Sequence, residues 1–303
     1  MPALTHRDTP AALSAPRRMV VSAIPIPVLR HALFFAMMGR RGHFRNPRTF
    51  NEKVNWRIFN DRRDRIAAAC DKTRMKQMAR AAYPDGDLRI PDTYWSGTDL
   101  RDAPDLDALP PWVLKPNASS GRALFGPDPR HDLAELRAQT RSWYDETPAE
   151  MGEWGYGVSG SGLLLEERIP TPDGSPPVDY KFFVFAGRVE MIQVNRDRFG
   201  RNPTVTFLDA DWRRHPVRWT KLAVADEPRP AELDKMLHIA RVLGADWDFI
   251  RIDLYAVDGE VWFGEYTPYP GGGLYRFKPE AFDRELGRHW TLPTVADVRP
   301  GRP

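Results

Sequence analysis

The sequence predicts an α+β or mixed α/β fold on three observations. Short apolar strand candidates recur between helix-patterned stretches, no segment repeats, and the apolar content is enough for a substantial core. The 303 residues allow one large domain or two to three small ones, and 42% of them are hydrophobic. Lys and Arg (44) barely outnumber Asp and Glu (41). With no long basic run, charge gives no support to a nucleic-acid partner. Cys70 is the single cysteine. It has no partner for an internal disulfide, fits a reducing cytoplasm, and reads as a small residue packed on a helix.

Along the chain, residues 1–18, rich in Ala, Pro and Arg, read as an arm. Arg17 and Arg18 precede "MVVSAIPIPVL" as in an export signal, but Pro25 and Pro27 break the run and no small-residue cleavage site follows. No segment reaches the roughly 18 apolar residues of a membrane span. "VLRHALFFAMMGRRG" reads as a short amphipathic helix with a basic end. Packing on the main body ranks above resting on a membrane surface or a partner. These residues, 1–45, make a first region. Helices over 51–60 and 72–82, the second capped by Asp71, lead into the turn-rich "YPDGDLRIPDTYWSGTDL" and define a helical region, 46–110.

A third region, 111–178, holds strand candidates "WVLKPN" and "RALFGP" around the small-residue loop "ASSG", a helix over 133–144, the linker "SGSG", and the buried strand "GLLLEERI". The last, 179–303, opens with "DYKFFVFAGRVEMIQV", two strands joined at Ala186 and Gly187. A helix over 230–243 follows, then the hairpin "IRIDLYAVDGEVWFGEYTPYPGGG", residues 250–273.

In that hairpin strand parity decides the chemistry. A two-residue Asp-Gly turn sets Asp253 opposite Gly264 and points the carboxylates of Asp253 and Glu265 apart. A three-residue turn, with Gly259 left-handed in a bulge, sets Arg251 opposite Glu265 and brings all three charges to one face. The second is favoured, because the first leaves Glu265 among apolar residues without a partner. Two carboxylates with Thr267 beside them suit Mg²⁺, which takes few protein oxygens; an ordinary Arg251 to Glu265 ion pair on a sheet is the plain alternative. "PGGG" lets backbone N–H groups approach an anion, though such runs are more often turns.

Only eight lysines occur. Three stand in suggestive places: Lys115 at the end of "WVL" before "PNASSG", Lys72 at the start of a helix, and Lys181 within "DYKFFVF". Each alone suits a solvated lysine. Together with the acidic hairpin they describe a triphosphate site. The P-loop, dinucleotide fingerprint, zinc spacing and Gly-x-Ser-x-Gly elbow are all missing.

In this order, "DK", "VLKPNASSG", "LLLEERI", "DYKFFVFAGR", "IRIDLY" and "GEYTPYPGGG" resemble the ATP-grasp superfamily. "TFNEKVNWRIFNDR", "DYKFF" and "IQVNRDRF" resemble its TupA-like family in particular, over roughly residues 45–290. The resemblance implies a nucleotide held between two α+β subdomains, a lid at 111–178 and a catalytic one at 179–303, after a reduced helical N-terminal region. It makes Lys72 and Lys115 the nucleotide lysines and puts Ser119, Ser120 and Gly121 in a phosphate cover. Glu166, Glu167, Arg168 and Ile169 become the adenine hinge, with Asp179 near the ribose and Lys181 at the terminal phosphates. Asp253, Glu265 and Thr267 become Mg²⁺ ligands, Thr267 standing where the superfamily usually has Asn. Arg251 steadies an acyl phosphate, and Arg198, Tyr269, Gly271, Gly272 and Gly273 border the substrates. "NASSGR" lacks the His and extra Gly that many relatives carry.

The implied activity is an ATP- and Mg²⁺-dependent joining of a carboxylate to an amine, on small-molecule or glycan substrates in cell-surface polysaccharide synthesis, in a cytoplasmic or membrane-peripheral protein. A non-catalytic nucleotide-binding module and a phosphotransferase acting on a sugar hydroxyl are the alternatives. Trp154, Tyr156, Tyr275 and Arg276 are further candidates to line a pocket, although for the aromatics a place in the core is the default.

Overall fold

The computed structural model describes residues 4–5, 24–119, 121–128, 132–144, 148–197, 200, 202–219 and 222–298. Two sheets organise them. The first has the order β1-β5-β4-β6-β3 and the second β2-β11-β10-β7-β8-β9. The strands are β1 (Leu4–Thr5), β2 (Leu88–Arg89), β3 (Thr93–Gly97), β4 (Trp112–Pro116), β5 (Arg122–Gly126) and β6 (Leu163–Glu167). The second sheet's long strands are β7 (Asp179–Phe185), β8 (Arg188–Arg196), β9 (Thr204–Leu208), β10 (Ile250–Val257) and β11 (Glu260–Thr267). Among these described strands only the β2–β11 pairing is parallel. Residues 46–110 contribute to both sheets, β2 to the second and β3 to the first.

The second sheet is the larger core. All seven residues of β7 are buried, because one face of the sheet is covered by helix α7 (Leu233–Leu243), whose Leu233, Met236, Leu237, Ala240 and Leu243 form an apolar stripe at helical spacing. The other face changes character along its length. Phe183 and Phe185 lie beneath Phe50 of helix α2 (Phe50–Asn60), while the same face of β7 continues as Lys181 and Asp179. Thr49 caps α2 in a reciprocal box with Glu52. Within α2, fully buried Arg57 donates to the carbonyls of Phe249 and Pro268 at 2.9 and 3.2 Å and pairs with Asp248 at 2.6 Å, fastening helix to sheet.

The first sheet has a smaller core of Leu100, Trp112, Leu114, Leu124, Leu136, Trp143, Leu163 and Leu165, closed by helix α5 (Leu133–Thr140). Four more helices complete the described residues: α1 (Ile26–Met38), α3 (Asp64–Ala69), α6 (Trp154–Val158) and α8 (Ala281–Arg288), besides α4 (Lys72–Ala82). Asp71 caps α4, accepting from the N–H groups of Thr73 and Arg74 at 2.9 and 3.1 Å. This helix joins the sheets: it packs beside β11, and its lysines reach the first sheet. Cys70, at the end of α3, is buried. None of the described helices is long and apolar enough to cross a membrane.

Candidate functional site

The hairpin corrects the expected turn and keeps its consequence. Val257 pairs with Glu260, so Asp258 and Gly259, at φ 50° and 81°, form a two-residue turn. From Asp253 the register then shifts: Leu254 faces Phe263, yet Asp253 faces Glu265, leaving Gly264 as the extra residue of a bulge. That bulge restores the parity the short turn removes. Glycine is required there, since a Cβ would lie 2.9 Å from the Asp253 carbonyl oxygen and 2.8 Å from the Tyr255 ring. Arg251 faces Thr267 rather than Glu265, and its length closes the gap.

The resulting cluster is tightly paired and, apart from half-buried Glu265, buried. Arg251 grips Asp253 with Nε and Nη2, both at 2.7 Å, and Nη2 also reaches Glu265 Oε1 at 2.9 Å. Its Nη1 donates to the Tyr275 hydroxyl at 3.4 Å. Lys181, directly across the ladder from Asp253, bonds that carboxylate and lies 2.7 Å from Asp179. The Thr267 hydroxyl donates to Glu265 at 2.9 Å. Burial would raise the Glu265 pKa, but Arg251, Lys181 and Lys72 outweigh it and hold the carboxylate at about 2.

Opposite stands the face of the first sheet with Lys115 and Glu166. Glu166 is clasped by Lys115 and, at 2.6 Å, by Lys76 of α4. Lys76 also donates to the Pro91 carbonyl at 2.8 Å and the Thr93 hydroxyl at 3.1 Å. One helical turn earlier, Lys72 donates to the carbonyls of Pro116, Asn117 and Ser119, the first two at 2.8 and 3.1 Å. These occupy its three donors. Burial first, then repulsion from Lys115, pulls the Lys72 pKa down to about 8, with Glu265 and Glu166 opposing. Lys72 therefore senses the charged groups of both sheets.

The Glu167 carboxylate accepts from the Asp92 N–H at 3.1 Å, and the N–H groups of Glu167 and Arg168 donate to the carbonyls of Asp92 and Pro111. The Arg168 guanidinium lies 5.3 Å over the Phe125 ring, and Ile169 is half-buried. Gly121 has φ 80°. Tyr269 is buried, its hydroxyl accepting from the Gly155 N–H at 3.4 Å. Tyr275 is also buried, Trp154 and Tyr156 half-buried, and Arg276 exposed. Gly271, Gly272 and Gly273 are three consecutive left-handed residues, at φ 55°, 58° and 66°. Their loop is tied down by Arg30, which bonds the Gly272 carbonyl, and by Asn55, which donates to the Gly273 carbonyl at 3.0 Å. Ser120 and Arg198 lie outside the described residues.

Sequence reasoning missed Lys76, Arg30 and Glu153. The four-residue spacing from Lys72 was a readable signal for Lys76, placing both on one helix face. Arg30 and Glu153 had none. Glu153 Oε1 lies 2.9 Å from where a Gly272 Cβ would stand. Burial pushes its carboxyl up to about 7, with Arg30 opposing.

The donor set fits Mg²⁺. Among the described residues no cluster of three or more His, Cys, Asp or Glu is arranged to enclose a metal. Mg²⁺ needs no such cage, using one or two carboxylates and completing its shell with water and phosphate. Asp253 and Glu265 face each other, and with Asp179 the cluster holds three carboxylates against two cations, Lys181 and Arg251.

A family model described as "TupA-like ATPgrasp" matches residues 52–291. No curated protein matches the chain. Among solved structures, D-alanine–D-alanine ligase from Helicobacter pylori is similar over 83% of this chain and 69% of its own, with 17% identity and a TM-score of 0.46. The corresponding ligase from Bacillus anthracis is 16% identical over 76% of this chain and 66% of its own, at TM-score 0.41. L-amino acid ligase from Bacillus licheniformis is 15% identical over 69% of this chain, at TM-score 0.40. The chain spans about two thirds of the length of the D-alanine ligases and 42% of that of the L-amino acid ligase.

Proposed function

The chain belongs to the TupA-like ATP-grasp family, and from that premise we propose that it is an ATP- and Mg²⁺-dependent carboxylate–amine ligase. In this reading it joins an amino acid or another amine to a sugar acid in cell-surface polysaccharide synthesis, on the cytoplasmic side. The observation that carries the reaction type is the buried face on which Arg251 grips Asp253 and Glu265 while Lys181 bonds Asp253.

A carboxylate does not acylate an amine in neutral water, so it must first acquire a better leaving group, here by attacking the γ-phosphate of ATP. Asp253 and Glu265 would hold the metal, with the Thr267 hydroxyl orienting Glu265. When bound, Mg²⁺ supplies charge neutralisation on the phosphate oxygens. Lys181 would shift from its carboxylates toward the terminal phosphate, and Lys72 and Lys115 would exchange protein oxygens for phosphate oxygens. Arg251, fixed by Asp253 and Tyr275, presents a rigid cation where charge develops on the acyl group. The loop Gly271–Gly273, tied to Arg30 and Asn55, closes the acyl end of the site. Holding acid and amine together there replaces a bimolecular encounter and excludes water.

The test is ADP and phosphate release from purified protein given ATP, Mg²⁺ and a panel of uronic and amino acids paired with amines. Turnover with at least one pair, abolished by Asp253→Asn and strongly reduced by Lys115→Ala, is expected. ATP binding without turnover on any pair, or turnover untouched by both substitutions, overturns the reading.

A further inference from the structure

Helix α1 carries a surface that the ligase reading does not use. Six large apolar side chains are exposed among the described residues, and three stand on this one helix: Val28 (59%), Phe35 (57%) and Met37 (48%). Val28, Ala32, Phe35 and Ala36 fall at helical spacing on one exposed face, and Met37 adds apolar surface at the last turn. The opposite side is well anchored. Phe34 and Met38 pack with Phe44, and Arg30 donates to Asn55 at 2.9 and 2.6 Å. The exposed face is therefore held out by a fixed helix.

Basic groups predominate around the patch, with Glu280 an exposed acidic exception. No Asp or Glu stands between Asp8 and Glu52, while Arg41, Arg45 and Arg48 are exposed just beyond the helix. Exposed Arg276 adds to this collar, with Nη2 3.9 Å from where a Gly39 Cβ would stand. Glu52 and Asp283 are buried against Arg40, and Glu280 pairs with Arg40 at 2.6 Å. An apolar helix face beside a basic rim matches the interface of an anionic bilayer, where side chains such as Phe and Val enter the acyl boundary and guanidinium groups meet headgroup phosphates. A second copy is a poorer occupant, because a two-fold contact through this face sets the two arginine collars against each other.

We infer that α1 docks the protein on an anionic membrane surface, with Val28 and Phe35 in the lipid interface and the collar of Arg41, Arg45 and Arg48 on the headgroups. The opposite side of α1 carries Arg30, which bonds Gly272. Docking thus holds the Gly271–Gly273 loop at the edge of the candidate site about one helix diameter, roughly 10 Å, from the lipid and favours acceptors attached to it.

The experiment is flotation of the full chain with vesicles of phosphatidylcholine alone or mixed with phosphatidylglycerol. Binding is expected to the mixed vesicles only, to weaken with salt, and to fall about tenfold or more in Val28→Ser/Phe35→Ser and in Arg41→Glu/Arg45→Glu. Both variants should keep the wild-type melting temperature, since the replaced side chains are exposed. Failure to float with anionic vesicles overturns the inference, as does equal floating with neutral ones or binding indifferent to both variants. Concentration-dependent dimers abolished by Val28→Ser/Phe35→Ser, without vesicle binding, would assign the face to a second copy.

Discussion

The two sheets hold their charges by different means. In the second, the Lys181 and Asp253 side chains are 5% and 2% exposed and stand as neighbours in the ladder between β7 and β10. Each is fixed by its own strand, by the strand beside it and by an ionic partner. In the first, Glu166 is equally buried, but Lys115 is 21% exposed, and the third member, Lys76, comes from a helix. In the proposed reading the reacting groups are thus built into the larger core, whereas the grip on the nucleotide is assembled from a thin sheet and α4.

Removing one charge from each cluster should separate them most widely. Asp253→Asn leaves Arg251 and Lys181 buried with one counter-ion fewer and is expected to cost about 3–5 kcal/mol in urea unfolding. Glu166→Gln should cost less, because Lys115 can turn to water and buried Lys76 keeps the Pro91 carbonyl and the Thr93 hydroxyl as partners. Equal losses would mean that the two clusters are held alike.

The bulge gives a second contrast within one hairpin. Gly264→Val drives a Cβ into the Asp253 carbonyl and the Tyr255 ring, and should cost roughly 2–3 kcal/mol while displacing Glu265 and weakening the Mg²⁺ dependence of ATP binding. Gly259→Ala meets nothing within 4 Å. Its cost should be only the roughly 1–2 kcal/mol of a left-handed residue, with Mg²⁺ dependence intact. If Gly259→Ala disturbs the metal and Gly264→Val does not, the turn rather than the bulge sets the face.

Those two glycines mark how far the sequence could be read. Alternation along "IRIDLY" and "GEYT" brought Arg251, Asp253 and Glu265 together correctly, because a buried unpaired Glu265 was the worse outcome in any register. It misjudged where the extra residue sits, since a left-handed Gly259 suits either turn and only the contact between Gly264 and Asp253 distinguishes them. The capping of α4 by Asp71 and the turn at Ala186 and Gly187 were legible for local reasons. The clasp of Glu166 by Lys76 was not, because it depends on where α4 crosses the first sheet, and no local pattern encodes that contact.

Asp248 tests the anchoring of the larger core. Burial would raise its carboxyl, but Arg57 and Arg63 outweigh it and hold it at about 2. A depressed carboxylate contributes stability above its ordinary range and loses it as pH falls through the folded value. About 2 kcal/mol should therefore disappear between about pH 4 and pH 2, and Asp248→Asn should flatten that part of a stability–pH profile. An unchanged acid limb would place the anchor in the aromatic contacts of Phe50, Phe249 and Trp290 instead.

The smallest effect is the one that links the two sheets. Lys72 is held at about 8 by burial and by Lys115, so in the free protein it begins to lose its proton just above neutral pH. Folding therefore favours its neutral form between about 8 and 10.5, and the charged form carries a cost below about 8. If Lys72 meets the triphosphate as proposed, binding needs that charge and must draw a proton back. ATP affinity should be flat below pH 7 and fall by at most about tenfold per pH unit above 8, with proton uptake measurable by calorimetry in two buffers. Lys72→Arg should remove the dependence, since a guanidinium stays charged throughout. If the wild-type curve instead stays flat to pH 10, Lys72 keeps its carbonyl partners when nucleotide binds. The grip would then rest on Lys115 and Lys181 alone, and α4 would position the first sheet without touching the ligand.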